Sequence, residues 1–185
     1  MRLKTMKPAF IYVRGLLLGL LAAVAVSAQD DPDLARRTLK GIKGVHVFAG
    51  VAKDIEEAGL RTDVIKTDTE LKLRQAGIRI PETAVEFAST PGSPMLAISV
   101  EGLSYKGTYA FCVSVALSQS VLLERDPSLR GTGKYRGLSF TAETWNAAIT
   151  GVEFGNPSDH IRSTVKDLVD KFINAYLAAN QKSPQ

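Results

Sequence analysis

The chain has 185 residues, of which 45% are hydrophobic and 23% charged, and its formal net charge is +4. Beyond residue 28, Lys and Arg equal Asp and Glu in number, so the positive excess lies in the first 28 residues. The rest of the chain is therefore balanced in charge. This argues against a nucleic-acid partner, because such a partner needs clustered positive charge. A single cysteine excludes an intramolecular disulfide.

The N-terminal segment has the three parts of a secretory signal peptide. Its first 14 residues contain four basic residues and no acidic residue, and the next 12, Gly15 to Val26, are uncharged. Val26-Ser27-Ala28 places small residues where signal peptidase requires them. We therefore predict cleavage after Ala28. An uncleaved anchor is the alternative, but a membrane-spanning helix needs about 20 apolar residues.

Cleavage after Ala28 leaves a single domain over residues 29–185, with a disordered start near 29–33 and a polar tail at 181–185. The residue after the cut is Gln29 rather than a cysteine, so no lipid anchor is expected. The predicted location is therefore periplasmic or secreted, with no stable membrane anchor.

In the first half of the domain the elements are short. Gly44 to Val51 is rich in β-forming residues and predicts a strand. Thr62 to Ala76 has helical spacing and is followed by Gly77, which is typical of a helix end. Ile78 to Ile80 predicts a short strand before Pro81, and Ala88 to Pro94 predicts a loop.

In the second half the pattern indicates a hairpin, a further strand and a long helix. Leu96 to Glu101 and Tyr109 to Glu124 alternate between large and small side chains, with a turn from Gly102 to Gly107. Leu138 to Ile149 predicts a strand antiparallel to the long one. The helix begins near Asn156 and Pro157 and ends at Asn180. Together these elements predict an α+β domain with a mostly antiparallel sheet of about four strands and two helices on one face.

No catalytic, cofactor-binding or metal-binding residue emerges from the sequence. His46 and His160 lie in isolation, and a metal site usually recruits several ligands. Gly131-Thr132-Gly133-Lys134 departs from a phosphate-binding loop, because Ser128 and Tyr135 occupy two of that loop's required positions. We interpret the stretch as a flexible loop, and Cys112 as a small buried side chain.

The small-residue face of the long strand is the candidate interaction surface. Ala110, Cys112, Ser114, Ala116 and Ser118 share it, and no third helix is available to cover it. Aromatic residues around the hairpin add contact area with a polar group. The predicted interaction residues are Tyr109, Cys112, Ser114, Ala116 and Trp145.

Three stretches resemble a recurring bacterial family of secreted proteins of unknown function: Gly59 to Ile80, Tyr109 to Arg125 with Thr144-Trp145, and Val165 to Asn180. That resemblance implies no activity and no functional residues. In architecture alone the domain is similar to the lipopolysaccharide-assembly lipoprotein and to the amino-terminal domain of the Tol-system translocation protein. Such likeness does not fix function.

The leading hypothesis is a non-enzymatic envelope module that binds another envelope protein through the small-residue face or an edge strand. A carrier or sensor of a small apolar ligand is the alternative, suggested by Phe111, Val115, Phe172 and Tyr176. A hydrolase is the third possibility, with His160 as the residue to test.

Overall fold

A computed structural model of the chain describes residues 32–125 and 140–181. Its helices are α1 (Pro32–Arg37), α2 (Lys53–Glu57), α3 (Thr62–Gln75), α4 (Ala84–Ser89) and α5 (Ser158–Asn180). Its strands are β1 (His46–Val51), β2 (Met95–Tyr105), β3 (Thr108–Val121) and β4 (Phe140–Phe154). Among these residues, no helix is both long and apolar enough to cross a membrane.

The four strands form one mixed sheet in the order β1-β2-β3-β4. β1 pairs with β2 in parallel, because three helices intervene between them and return the chain to the same end of the sheet. The β2-β3 and β3-β4 pairs are antiparallel. This confirms the predicted α+β fold with a mostly antiparallel sheet.

The two long helices, α3 and α5, pack on one face of the sheet and against each other, as predicted. Apolar side chains from both layers form one core, in which Ile65 and Leu73 of α3 and Leu168 and Phe172 of α5 are fully buried. The predicted helix count of two is too low, since the described chain has five. α1, α2 and α4 have only five or six residues each, too few to show a helical period in the sequence.

Both long helices lie where the sequence predicts them. α3 ends at Gln75, and Gly77 follows with φ +75°, the left-handed conformation that glycine tolerates best. α5 begins at Ser158, whose backbone N–H donates to Asn156 Oδ1 at 2.9 Å. Asn156 therefore caps the helix from two residues before its first residue.

The hairpin turn is tighter than predicted. It consists of Lys106 and Gly107, at φ +49° and +76°, so β2 continues through Gly102 to Tyr105. Two consecutive residues with positive φ match the right-handed twist of the paired strands, which favours this short turn. Because β2 is longer than predicted, Leu103 and Tyr105 are strand residues that pair with β3 and are not part of the turn.

β4 contains a β-bulge that explains its mixed sequence pattern. Ala142 pairs with Gln119 and Trp145 pairs with Leu117, although Ala142 and Trp145 have opposite parity in the sequence. The extra residue, Thr144, lies at the register shift, so that Ala142 and Trp145 both face the helix side of the sheet. Its hydroxyl accepts a hydrogen bond from Gln119 Nε2 at 2.7 Å.

Three local predictions are corrected. Residues 78–80 form no strand; the Arg79 carbonyl accepts one hydrogen bond, from Val45 N–H at 3.0 Å, while Ile78 and Ile80 enter the core. α4 occupies the start of the predicted loop. α1 begins at Pro32, inside the stretch predicted to be disordered. The predicted signal peptide, the 131–134 loop and residues 182–185 lie outside the described residues.

Candidate protein-binding face

The sheet has one face that α3 and α5 leave uncovered, which we call the open face. In each strand, side chains alternate between this face and the core, as the burial pattern of β3 shows. The open face comprises His46, Phe48 and Gly50 of β1, alternate residues of β2 from Met95 to Tyr105, alternate residues of β3 from Thr108 to Ser120, and Thr141, Glu143, Asn146, Ala148, Thr150, Val152 and Phe154 of β4.

Large apolar side chains gather at the hairpin end of the open face. Leu103, Ala110 and Val152 are neighbours across three strands, and Tyr105, Thr108 and Phe154 form the next row. Leu103 and Phe154 are each 75% exposed, Tyr105 is 71% exposed and Val152 is 50% exposed. We call Leu103, Tyr105, Ala110, Val152 and Phe154 the hairpin patch.

The remainder of the open face has many small side chains, together with His46, Met95 and Phe48, which is 58% exposed. The Ala97, Ala116 and Asn146 row and the Ser99, Ser114 and Ala148 row each run across β2, β3 and β4. Short side chains leave the backbone accessible to close approach by a partner. At the far end, the ring of Phe87 in α4 lies 5.1 Å from that of His46 and bounds the face.

Charge on the open face is sparse, and at its hairpin end the ammonium of Lys106 in the turn lies over the Tyr105 ring, 5.1 Å from the ring centre. Among its described residues there is no Lys or Arg, and the carboxylates are Glu101 and Glu143. Glu101 accepts a hydrogen bond from the Ser99 hydroxyl at 2.8 Å, and Glu143 accepts one from the Asn146 amide. Ser, Thr, Asn and Glu side chains occupy much of the open face, as is usual where an antiparallel sheet meets water, so the hairpin patch is its distinctive feature.

The structure divides the five predicted interaction residues between the two faces. Cys112, Ser114 and Ala116 lie in succession on the open face. Tyr109 and Trp145 lie on the helix side, since they have the parity of Phe111 and Leu117.

Trp145 is excluded from any surface contact by burial. It is 7% exposed, and its ring meets that of Phe172 at 5.2 Å, edge to face. Tyr109 is partly buried and packs against the core. The hairpin patch takes their place on the candidate surface. Four of its members were missed because the predicted turn began at Gly102 and the predicted β4 ended at Ile149.

His160 contacts one carboxylate rather than a catalytic group. Its Nδ1 contacts Glu153 Oε2 on β4, and its ring meets Phe111 edge to face at 5.6 Å. The hydrogen bond from His160, together with the Phe154 N–H, lowers the pKa of Glu153 below its ordinary value. This contact joins the start of α5 to the end of β4.

A Ser-x-x-Lys spacing occurs at Ser163 and Lys166 in α5. Ser163 is exposed, and the Lys166 side chain is 44% exposed with its ammonium 3.8 Å from Asp68. A lysine that serves as a base is normally desolvated. Within the described residues, moreover, no group of three or more His, Cys, Asp or Glu is placed to hold a metal ion.

Comparison with known proteins assigns no family, since no protein-family model and no curated protein matches the chain. The resemblance to a family of secreted bacterial proteins therefore stays a prediction.

Proposed function

We propose that this chain is a non-enzymatic protein-binding module that docks a protein partner on the open face of its sheet. The observation that carries the proposal is the hairpin patch, in which exposed large apolar side chains of β2 and β4 lie on either side of the short β3 side chains of Ala110 and Thr108. Single exposed apolar residues are common on proteins, but contiguous ones mark interaction surfaces.

The small-residue rows extend this surface beyond the patch. A partner that contacts Leu103 and Phe154 meets no lysine or arginine among the described residues as it continues toward Ala97. Desolvating such a surface costs less than desolvating a charged one. The whole open face, and not the patch alone, is therefore the proposed contact.

An extracytoplasmic location is part of the proposal and depends on the N-terminal segment. The basic start, the uncharged run and Val26-Ser27-Ala28 support export. The partner would then be another protein of the cell envelope.

The ligand-carrier alternative has less support, because its four residues already serve the core. Phe172 is fully buried and contacts Trp145 and Tyr176, while Val115 is fully buried in β3. The Tyr176 hydroxyl donates to the Ile42 carbonyl at 2.8 Å, and burial raises the pKa of that hydroxyl.

A photo-crosslinking amino acid placed at Ala148 tests the proposal in cells of the source organism. Ala148 is exposed on the open face, near the middle of the edge strand β4, so we expect irradiation to produce a protein adduct. The matched control position is Leu71 of α3, which is 53% exposed on the helix side. The adduct should disappear when Leu103→Ser and Phe154→Ser are combined with the probe.

Those two substitutions should leave the fold intact, since both side chains are already 75% exposed. Far-ultraviolet circular dichroism and the urea midpoint verify this. Equal adducts from positions 148 and 71, or an adduct that survives the double substitution, would argue against the open face as the binding surface.

A further inference from the structure

We infer that β4 pairs edge to edge with β4 of a second copy of this chain, antiparallel and about a two-fold axis at Thr150. The contact uses the outer edge of the sheet and leaves the open face uncovered, so it goes beyond the proposed function. Three features of the molecule support it: the free backbone groups of β4, the order of its side chains and the charges of the helices beside it.

β4 is an edge strand without the usual protection. It is the last strand of the sheet, and among the described elements none pairs with its outer side. Proteins ordinarily protect such an edge with lysine, proline or a very short strand. β1, at the opposite edge, has only six residues. β4 has 15, and its residues 146–154 include no Lys, Arg or Pro. β4 is therefore the edge that is open to pairing.

Alternate residues of β4 direct their backbone groups away from the sheet. The Gly155 N–H donates to the Gly107 carbonyl at 3.0 Å, so the residues of odd number after the bulge bond to β3. The Phe154 N–H, which this pattern turns outward, donates instead to the Glu153 carboxylate at 3.3 Å. The outward residues are Asn146, Ala148, Thr150, Val152 and Phe154.

The free part of this edge is bounded at both ends. At the bulge, the Thr144 carbonyl accepts a hydrogen bond from the Thr38 hydroxyl at 3.1 Å. At the other end, Gly155 turns the chain with φ +81°. An antiparallel copy that pairs with all of residues 146–154 places Thr150 on the two-fold axis. The outward residues of the two copies then exchange about ten backbone hydrogen bonds.

The side chains of β4 suit this register. Thr150 meets its own counterpart on the axis, which is a favourable pair between strands. Glu153 lies opposite Ala147 of the other copy, so no carboxylate of the paired segment meets another. In three further pairs a larger side chain lies opposite a smaller one: Ile149 with Gly151, Val152 with Ala148, and Phe154 with Asn146.

The helices beside β4 bring opposite charges together in this dimer. α1 lies on the helix side, where Thr38 contacts Thr144, and Arg37 is exposed in its last turn. Opposite Thr144 lies Asn156 of the other copy, and α5 of that copy begins two residues later with the exposed Asp159 in its first turn. The basic end of α1 and the acidic start of α5 are thus at the same level. Exposed charges of this kind aid association and are weakened by salt.

The contact is one strand wide, so backbone hydrogen bonds rather than buried area supply most of its affinity. Because free edge groups already bond to water, each new bond contributes only a small net gain. We therefore expect a weak dimer, with a dissociation constant of about 10–100 µM.

Sedimentation equilibrium on the chain beginning at Gln29, at concentrations up to about 1 mM, tests this inference. Thr150→Pro should raise the dissociation constant about tenfold or more, because proline removes the donor on the axis. The Thr150 N–H faces away from β3, so the bonds within the sheet should survive, as circular dichroism and the urea midpoint verify. Thr150→Ala keeps the N–H and is the matched control, which should change the constant less than about threefold.

A pair of charges tests the register without proline. Ala148→Lys and Val152→Glu should each weaken the dimer by about threefold or more, because each places one unpaired charge at the contact. Combined in one chain they should restore most of the affinity, since the new ammonium of each copy lies opposite the new carboxylate of the other. Additive losses would overturn the register at Thr150.

Crosslinking through cysteine distinguishes this edge contact from a contact through the open face. Cys112 pairs with Thr150 within one copy, so the two Cys112 residues of the dimer lie three strand spacings apart, about 14 Å. A bismaleimide shorter than that distance should leave the unmodified protein unlinked. It should link Thr150→Cys in a Cys112→Ser background, where the two new sulfurs meet at the axis.

A monomer over the whole concentration range overturns the inference, as does a dimer that a folded Thr150→Pro variant leaves unchanged. If Thr150→Pro does not fold, the charge pair decides. Failure of this inference is separable from failure of the proposed function by the mass of the adduct at Ala148. An adduct of twice the chain's mass reports the edge contact, whereas an adduct with a different protein that Leu103→Ser weakens reports the open face.

Discussion

Phe111 shows how single residues shape this sheet. It lies on the core side between Gly102 of β2 and Gly151 of β4, its partners in register. A Cβ at Gly151 would come within 2.6 Å of the Phe111 ring, and one at Gly102 would come within 2.8 Å of Ile55. Gly151 thus leaves room for the Phe111 ring, and Gly102 leaves room for the Ile55 side chain. Both side chains close the core near the hairpin.

Gly151→Ala should destabilise the protein for this reason. The Phe111 ring is 5% exposed and cannot move aside without disturbing its neighbours, so we expect a loss of about 1–3 kcal/mol in the free energy of unfolding. Urea denaturation followed by circular dichroism measures the loss.

Gly50→Ala is the matched control for Gly151→Ala. Gly50 is also a strand glycine, but its nearest neighbour to a new Cβ is Phe48 at 4.0 Å. Its substitution should change the free energy of unfolding by less than about 0.5 kcal/mol. Equal losses for the two variants would show that steric contact with Phe111 is not the cause.

At the scale of the secondary-structure elements, an ion pair joins the two long helices. Arg162 Nε of α5 donates to Asp68 Oδ2 of α3 at 2.7 Å, and Lys166 lies 3.8 Å from the same oxygen. The hydrogen bond from Arg162 lowers the pKa of Asp68, while partial burial opposes it. The pair is partly exposed, which limits the stability it provides.

Asp68→Asn should cost about 0.5–1 kcal/mol of unfolding free energy at neutral pH. The pKa of Asp68 is lower in the folded state, so its contribution is fully present above the unfolded pKa of about 3.9 and is lost as pH falls through the folded value. The difference between the variant and the unmodified chain should therefore shrink below about pH 4.

Urea midpoints measured between neutral and acidic pH determine this difference. Asp167→Asn on the exposed side of α5 is the control, and it should change stability little at any pH. A difference for Asp68→Asn that is constant down to low pH would contradict a role for the ionised carboxylate.

The long elements could be predicted from sequence because each carries its own periodic signal. α5 repeats apolar residues from Ile161 to Ile173, and β3 alternates from Phe111 to Leu117. Short elements lack that signal. α4 has six residues, and its start depends on one capping contact, from Glu86 N–H to Thr83 Oγ1 at 3.1 Å.

The binding face was harder to predict, because it depends on pairing between strands. Alternation within β3 identifies Cys112, Ser114 and Ala116 as one face. The patch at the hairpin end requires the register that joins Leu103 to Val152 through Ala110. The Thr144 bulge also reverses parity within β4, and only the pairing with β3 locates the extra residue.

At the scale of the whole molecule, the sheet is asymmetric in what it buries. Its helix side contributes Leu96, Val113, Val115 and Leu117, all fully buried, to the core. Its open side leaves Phe154 and Leu103 in water. A chain that stabilises its fold with one face of a sheet is free to use the other for association, as the proposed protein-binding function requires.

Export is the remaining prediction at this scale. Produced in a bacterium with its first 28 residues, the protein should be recovered outside the cytoplasm with Gln29-Asp30-Asp31 as its N-terminus, because Ala28 occupies the position before the cut. Intact-mass spectrometry of the periplasmic fraction identifies the terminus.

Ala28→Arg should block processing, because signal peptidase requires a small residue there, while Ala23→Leu within the apolar run is the control that should still be cleaved. The Ala28→Arg chain should keep its full mass and sediment with membranes. Recovery of the unmodified chain at full mass in the cytoplasm would contradict export, and it would place the partner of the open face inside the cell.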